Sequence, residues 1–449
     1  MAALLGKLMK VYIETLGCVR NSVDSEIMAG RLESAGHLVI DEPEDADAIV
    51  VNTCGFVTSA VEEAIDVIID LSEHKKTGRC KRLIVAGCMA ERYKESLVEE
   101  MPEADFFMGT GCYQDIVEIV EGRKTENGII LFPDPLKCTL QNADTPRILS
   151  TGHIGYLKIA EGCDRHCTYC IIPRLRGKQR SRKIKDILSE AESMIQVGVK
   201  EIILVAQDTT FYGKDLNSGE NLGKLLTELS SMNKSIWIRT LYGNPDTLDL
   251  DVLKTFKSHD NICHYFDLPI QHASDRVLKR MGRRYTNEFM SDLFKKIRKE
   301  LPDAALRTTV ITGFPGETDE DFKILLDFIE ETRFDHLGAF IYSDAEDIPS
   351  HRLPDHVAPE TASSRHEQIM AVQAEISFKN YQKYLNNTLE VMIDDDDPNE
   401  DGLYHGHTKY QAPEVDGYTY VDGENLKSGD VVKINITDTF DYDLIGDQI

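Results

Sequence analysis

The sequence predicts an α/β protein in three parts: an N-terminal doubly wound parallel α/β domain, a central partial (β/α)6 barrel and a small C-terminal antiparallel β-barrel. Three observations predict it. Short apolar runs such as IVV (49–51) and LIVAG (83–87) alternate with helical patterns, as strands buried on both faces of a parallel sheet do. A second alternation, of six strand–helix units, begins at Tyr156, too few for a full eight-unit barrel. Beyond residue 386 the chain turns to short strand-like pieces, TLEVMID, YTYV and VVKINI.

Taken in order, LMKVYIETLG reads as the first strand, with a helix expected over Ser25–Ala35. AIVVNTC is the second, followed by a helix from about Thr58 to Glu73; RLIVAGC is the third, followed by a helix around Glu91–Glu100; FFMGT is the fourth. Residues 124–150 carry prolines and no sustained periodicity, so they read as a linker. The barrel strands are YLKIAEG, EIILVAQDTT, SIWIRTLY, YFDLPIQ, LRTTVITGF and HLGAFIYS, and a helix over 362–386 leads into the last module. The domain limits expected from this are 8–124, a linker at 125–148, then 149–378 and 379–449.

Composition bounds the function. The 449 residues hold 50 Lys+Arg against 77 Asp+Glu, a formal net charge of −27, which argues against a general binder of nucleic-acid backbones. Hydrophobic residues make up 41%, enough for real cores. No stretch approaches the roughly 20 apolar residues of a membrane helix, and MAALLGKLMKVYIETLG carries no secretory signal, so a cytoplasmic protein is expected. In that reducing setting, ten cysteines point to metal ligands or reactive thiols rather than disulfides.

Their placement is informative. Cys18, Cys54 and Cys88 follow the first, second and third strands, at the carboxyl edge where such folds bind ligands. They read either as small buried residues ending strands or as a three-thiolate metal site with an open coordination position. Cys80, Cys112, Cys138 and Cys263 have no such placement and are expected to be structural. After the first barrel strand, EGCDRHCTYCIIP sets Cys163, Cys167 and Cys170 in a C-x3-C-x2-C pattern at the barrel mouth. Three thiolates suit three irons of a 4Fe–4S cluster and leave the fourth iron free. A structural zinc would need a fourth ligand, and no further cysteine fits; His166 reads as a loop residue.

This pattern resembles the radical S-adenosylmethionine superfamily, and the cysteines at 18, 54 and 88 narrow the likeness to its methylthiotransferases. The matching stretches are LGCVRNSVDSE, VNTCGF, AGCMAERY, EGCDRHCTYCIIPRLRGKQRSR, LVAQDTT, DLPIQHASDRVLKRMGR and RTTVITGFPGETDEDF, spread over nearly the whole chain. The resemblance implies a second 4Fe–4S cluster on Cys18, Cys54 and Cys88, a partial barrel, and a C-terminal TRAM domain. DLPIQHAS, LVAQDTTFYG and RTTVITGFPGE are similar to the branch that modifies an aspartate of a small-subunit ribosomal protein rather than an adenosine of transfer RNA. One departure is Val19-Arg20, where that branch usually shows Pro-Lys; the ligand Cys18 is intact.

By that resemblance, the cluster on Cys163, Cys167 and Cys170 binds S-adenosylmethionine, whose reductive cleavage yields a radical that takes hydrogen from the aspartate β-carbon. The second cluster presents sulfur, and another S-adenosylmethionine gives the methyl group. A low-potential electron donor and a sulfur donor are implied as partners. Gln207 and Asp208 are expected near the cofactor, and Gln271 and His272 on the substrate side. Gly313 and Pro315, in GFPGE, suit either a close backbone approach to the cofactor or an ordinary turn. Charge gives a separate indication: residues 380–449 hold 4 Lys/Arg and 16 Asp/Glu, so the module should repel RNA and attract a basic ribosomal protein. The basic run from Arg174 to Lys185 reads as a solvated face and occurs in both branches. The alternatives are modification of an N6-modified transfer-RNA adenosine and, from another class, an iron–sulfur electron carrier or scaffold; two three-cysteine sites, each lacking a fourth ligand, argue against the latter.

Overall fold

The computed structural model describes residues 8–123, 130–397 and 402–449. The first seven residues, the start of the expected linker and the end of the DDDDPNEDG turn lie outside the described residues. The chain forms two compact units. The first runs up to Ser150 and includes Glu161–Arg165 and Cys170–Arg182; the second takes Thr151–Ala160, His166–Tyr169 and Lys183–Ile449.

The first unit is built on a six-stranded parallel sheet. Its strands are β1 (Lys10–Thr15), β2 (Leu38–Ile40), β3 (Ala48–Thr53), β4 (Arg82–Gly87), β5 (Phe106–Met108) and β6 (Ile130–Leu131), in the order β2-β1-β3-β4-β5-β6. Every residue of β3 is buried: Ala48–Val51 as their apolar run predicts, Asn52 and Thr53 through hydrogen bonds to Asn21 O, Ser25 Oγ and Ala86 O, and Ile49 and Val51 join Leu83, Val85 and Phe107 in one core. Each such side chain contributes roughly 1.5–3 kcal/mol by leaving water. The four expected strands are present, and two edge strands join them. β2 is only three residues long and partly exposed, and β6 falls inside the stretch expected to be linker, so neither shows a periodic signal. Helix α1 spans Val19–Ser34 and so starts six residues earlier than expected, directly after Cys18 at its N-cap. Helix α2 covers Thr58–Ser72. The third expected helix is two, α3 (Cys88–Tyr93) and α4 (Glu95–Glu100), broken at Lys94, whose φ is +48°.

The second unit holds six parallel strands: β7 (Ile154–Lys158), β8 (Glu201–Val205), β9 (Trp237–Thr240), β10 (Tyr265–Asp267), β11 (Ala305–Thr312) and β12 (His336–Ile341). They form two ladders, β9-β8-β7 and β10-β11-β12, joined by a parallel bridge from Ile238 to Ile262. This is the partial six-stranded barrel expected. The helix Pro359–Tyr381 then leads to a closed five-stranded barrel of β13 (Thr388–Asp396), β14 (Leu403–Thr408), β15 (Thr419–Asp422), β16 (Val431–Thr439) and β17 (Leu444–Gln448). One expectation is corrected here: the small barrel is not wholly antiparallel, because closure pairs β15 with β17 in parallel.

Buried charge fixes the small barrel to the larger one. Glu201, which opens β8, accepts from Arg239 Nε (2.7 Å) and His407 Nε2 (2.6 Å), and His407 Nδ1 donates to Asp394 (2.8 Å). Asp416 faces Arg307 (3.4 Å) and His336 (3.4 Å) and accepts from Tyr265 Oη (2.6 Å). Glu201, Tyr265 and His336 each open a strand, so the module seats at the end of the barrel opposite the strand C-termini. Asp394 and Asp416 therefore spend their charge internally, and the module offers less acidity to a partner than its composition suggests. Among the described residues no helix is long and apolar enough to cross a membrane.

Candidate metal centre

In the first unit, β1, β3 and β4 are adjacent, so the loops after them share one edge of the sheet. Cys18 and Cys54 lie in the first two of these connections, and Cys88, directly after β4, is the first residue of α3. The packing is close: a β-carbon on Gly17 would stand 2.6 Å from Cys54 Cβ, and one on Gly55 would stand 2.7 Å from the backbone of Met89. Gly17 also has φ +91°, a conformation that side chains resist. The glycine beside the cysteine is thus what lets neighbouring loops bring their thiols together.

The thiols sense one another. Burial raises Cys88, and the charges of Cys18 and Cys54 push it further up, against a lowering from Arg176. Burial also raises Cys54. At Cys18 burial is outweighed by the charges of Arg20 and Arg176, which bring the thiol down to about 7. Its place at the start of the sixteen-residue α1 favours the thiolate as well. Arg20, the departure from the family pattern, thus favours the thiolate of the neighbouring Cys18.

Arg176 is 3% exposed. It donates to Asn21 Oδ1 (2.9 Å), Asp24 Oδ2 (3.1 Å), Glu161 (3.3 Å) and Cys88 Sγ (3.5 Å). Asp24 also accepts from Tyr113 Oη (2.7 Å). The basic run 174–185 is therefore not simply a solvated face: Arg176 and Arg182 are buried, Arg176 because carboxylates distant in sequence neutralise it. Sequence reasoning missed Arg20, Asn21, Asp24, Arg176, Gly17 and Gly55; the glycine beside each of Cys18 and Cys54 was the available signal.

Among the described residues no three His, Cys, Asp or Glu side chains converge as they would on a single ion. All ten cysteines are free of disulfides.

The C-x3-C-x2-C loop is held in pieces. In the first unit Cys163 N donates to Gly177 O (3.0 Å), and Arg165 N donates to Cys163 Sγ (3.4 Å); Cys170 belongs to the same unit. In the second, Thr168 donates through N to Met281 O (3.0 Å) and through Oγ1 to Arg280 O (2.8 Å). There Arg283 donates to Tyr169 Oη (2.6 Å) and packs between the rings of Tyr169 and Tyr285.

The remaining expected residues sit beyond barrel strands, but several are engaged locally. Asp208 accepts from Thr210 Oγ1 (2.8 Å), Phe211 N (3.0 Å) and Thr247 Oγ1 (3.1 Å), and so builds its own turn. Gln207 precedes it, half-buried. Gln271 holds φ +69° while pairing with Val310, a left-handed conformation costing on the order of 1 kcal/mol. His272 is fully buried; its Nδ1 accepts from Ser274 N (2.9 Å), which leaves the proton on Nε2. Burial, opposed by Asp321, lowers it to about 3, so it is neutral. In GFPGE, Glu317 accepts from Gly313 N (2.5 Å) and Phe314 N (3.1 Å), and burial raises its carboxyl to about 7. A β-carbon on Gly313 would stand 2.4 Å from Ala362 Cβ, so packing alone requires that glycine. Pro315 is buried in the same turn.

Comparison with known proteins agrees with this architecture. Residues 10–109 match the uncharacterised protein family UPF0004, residues 157–329 the radical SAM superfamily, and residues 387–449 the TRAM domain. Membership of the radical SAM superfamily implies a 4Fe–4S cluster and S-adenosylmethionine. Two solved structures share the fold: the radical S-adenosylmethionine methyltransferase TsrM from Kitasatospora setae (TM-score 0.56, 15% identity, 76% of this chain and 74% of that one) and the cobalamin-dependent radical enzyme OxsB (TM-score 0.54, 14% identity, 82% and 62%). Two full-length relatives bear the name ribosomal protein uS12 methylthiotransferase RimO. The one from Desulfosudis oleivorans is 49% identical, over 98% of this chain and 100% of its own length; the one from Clostridioides difficile is 47% identical, over 98% and 99%. With three family matches in order along the chain and relatives this similar from end to end, the chain belongs to the RimO family of radical SAM methylthiotransferases.

Proposed function

We propose that this chain replaces a β-carbon hydrogen of an aspartate in ribosomal protein uS12 with a methylthio group, acting in the cytoplasm. Residues 8–124 hold one cluster on Cys18, Cys54 and Cys88, residues 149–378 hold another on Cys163, Cys167 and Cys170, and 379–449 form the TRAM domain, with 125–148 as linker. The observation that carries the reading is the gathering of Cys18, Cys54 and Cys88 on three adjacent strand ends, beside Arg20 and Arg176, in a chain that also carries the C-x3-C-x2-C motif. An electron carrier has no use for two three-thiol sets, each leaving an iron open.

When bound, the clusters and S-adenosylmethionine supply radical generation, sulfur and methyl. The chain supplies placement. Arg20 and Arg176 favour the thiolate of Cys18 for iron, Arg176 partly offsets the burial of Cys88, and Arg283 and the Met281 carbonyl fix the loop bearing Cys167. Gln207, Asp208, Gly313 and Pro315 are assigned to the cofactor side and Gln271 and His272 to the substrate side, His272 through its neutral ring holding Ser274. A low-potential reductant and a sulfur donor are the further partners. The acidic TRAM surface favours a basic ribosomal protein over RNA, so no direct RNA contact through it is expected.

Separating the two thiol sets tests this. Replacing Cys163, Cys167 and Cys170 with alanine should abolish 5′-deoxyadenosine formation. Replacing Cys18, Cys54 and Cys88 should leave that product while abolishing methylthio transfer. Loss of both activities in the second variant, with the first cluster still loaded, would refute the division of labour.

A further inference from the structure

Arg176 lies six residues past Cys170, yet its guanidinium reaches the other set of thiols. Within the first unit it is buried and faces Cys88 Sγ at 3.5 Å, Asn21 Oδ1 at 2.9 Å, Asp24 Oδ2 at 3.1 Å and Glu161 at 3.3 Å. Its five N–H donors are thus shared between two carboxylates, an amide and a thiol that the mechanism assigns to iron. A buried cation carries a desolvation cost that must be matched by nearby negative charge. Asp24 and Glu161 supply that match, and Asn21 Nδ2, bonded to Leu16 O and Thr53 O, ties the network to the loops bearing Cys18 and Cys54.

We propose that Arg176 is a positioning residue of the Cys18–Cys54–Cys88 cluster, setting that cluster's reduction potential through its hydrogen bond to Cys88 and its balance against Asp24. The inference rests on the reading that these thiols hold a 4Fe–4S cluster. Potentials of such clusters follow local charge and hydrogen bonds to sulfur. Reduction adds negative charge, so a buried guanidinium stabilises the reduced form, and a buried carboxylate opposes it; low local dielectric magnifies both effects. Arg176 also makes the segment that follows Cys170 part of the second cluster's surroundings.

The test uses the full-length chain with Cys163, Cys167 and Cys170 replaced by alanine, so that the remaining iron belongs to the second set. Its midpoint potential is read anaerobically by electron paramagnetic resonance, with iron and sulfide content measured on the same samples. In this background Arg176→Gln should shift the potential downward, Asp24→Asn upward, and Arg176→Lys, which keeps charge but loses the fork, should fall between parent and Arg176→Gln. Opposite shifts from neighbouring residues are not what a purely structural role produces. A parent that loads no four-iron cluster refutes the second-cluster reading itself. A parent that loads normally, with Arg176→Gln and Asp24→Asn both at its potential, overturns the role of Arg176 and leaves that reading standing. If Arg176→Gln fails to hold iron, Asp24→Asn decides alone: an upward shift supports the proposal, and an unchanged potential overturns it.

Discussion

Trp237, the chain's one tryptophan, packs edge-on against His407 with ring centroids 5.8 Å apart, so indole fluorescence reports directly on a buried imidazole. His407 is 1% exposed and donates from both nitrogens, to Glu201 (2.6 Å) and Asp394 (2.8 Å). A ring that donates twice is an imidazolium. Burial opposes that charge, but Glu201 and Asp394 overcome it and raise His407 to about 9. At the opposite end of the contact, Arg239 and His407 overcome burial and lower the Glu201 carboxyl, the same attraction felt by its other partner. Against an ordinary histidine near 6.5, the rise corresponds to about 3 kcal/mol of folded-state stabilisation. Because the folded value lies above the unfolded one, that stability is fully present below pH 6.5 and is lost as pH rises through about 9. A fluorescence titration should therefore show a transition near pH 9, and urea unfolding followed at Trp237 should need less denaturant at pH 10 than at pH 6. His407→Gln should remove the transition and flatten the difference. A midpoint at the ordinary histidine value, or a transition that survives His407→Gln, would show that Glu201 and Asp394 do not hold the ring charged.

Two further outcomes follow from geometry already described. Gly17→Ala places a methyl group 2.6 Å from Cys54 Cβ in a left-handed backbone, so it should cost the chain one cluster's iron while the cluster on Cys163, Cys167 and Cys170 still loads; full loading would show that the close packing is dispensable. Buried neutral His272, at about 3, resists protonation in the folded state, so its contribution is present above pH 6.5 and is lost as pH falls toward 3. His272→Asn, which keeps an acceptor for Ser274 N, should gain about 2–3 kcal/mol relative to the parent near pH 4.5, read as a smaller acid-induced drop in unfolding midpoint; equal drops would show that the imidazole does not set acid lability.

What the sequence made legible depended on local physics. β3 announced itself through the apolar run Ala48–Val51, and Cys18, Cys54 and Cys88 could be placed because parallel sheets put ligand sites at strand C-termini. The six barrel strands were equally plain. Arg176 was not, because the partners that make its burial tolerable, Asp24 and Glu161, lie 152 and 15 residues away in sequence. A basic run shows no trace of such pairing. The same limit applies to the acidic TRAM module, where Asp394 and Asp416 turn toward the large barrel and composition counted them as surface charge. Edge strands β2 and β6 were too short for a period, and the parallel β15–β17 pair depends on closure of the small barrel rather than on any one segment.

The most direct measurement offers the anaerobically reconstituted enzyme, with S-adenosylmethionine and reductant, two substrates side by side: ribosomal protein uS12 and unmodified transfer RNA. A mass gain of about 46 Da, a methylthio group in place of hydrogen, is expected on an aspartate of the protein and none on the RNA. A gain on the RNA alone would contradict it.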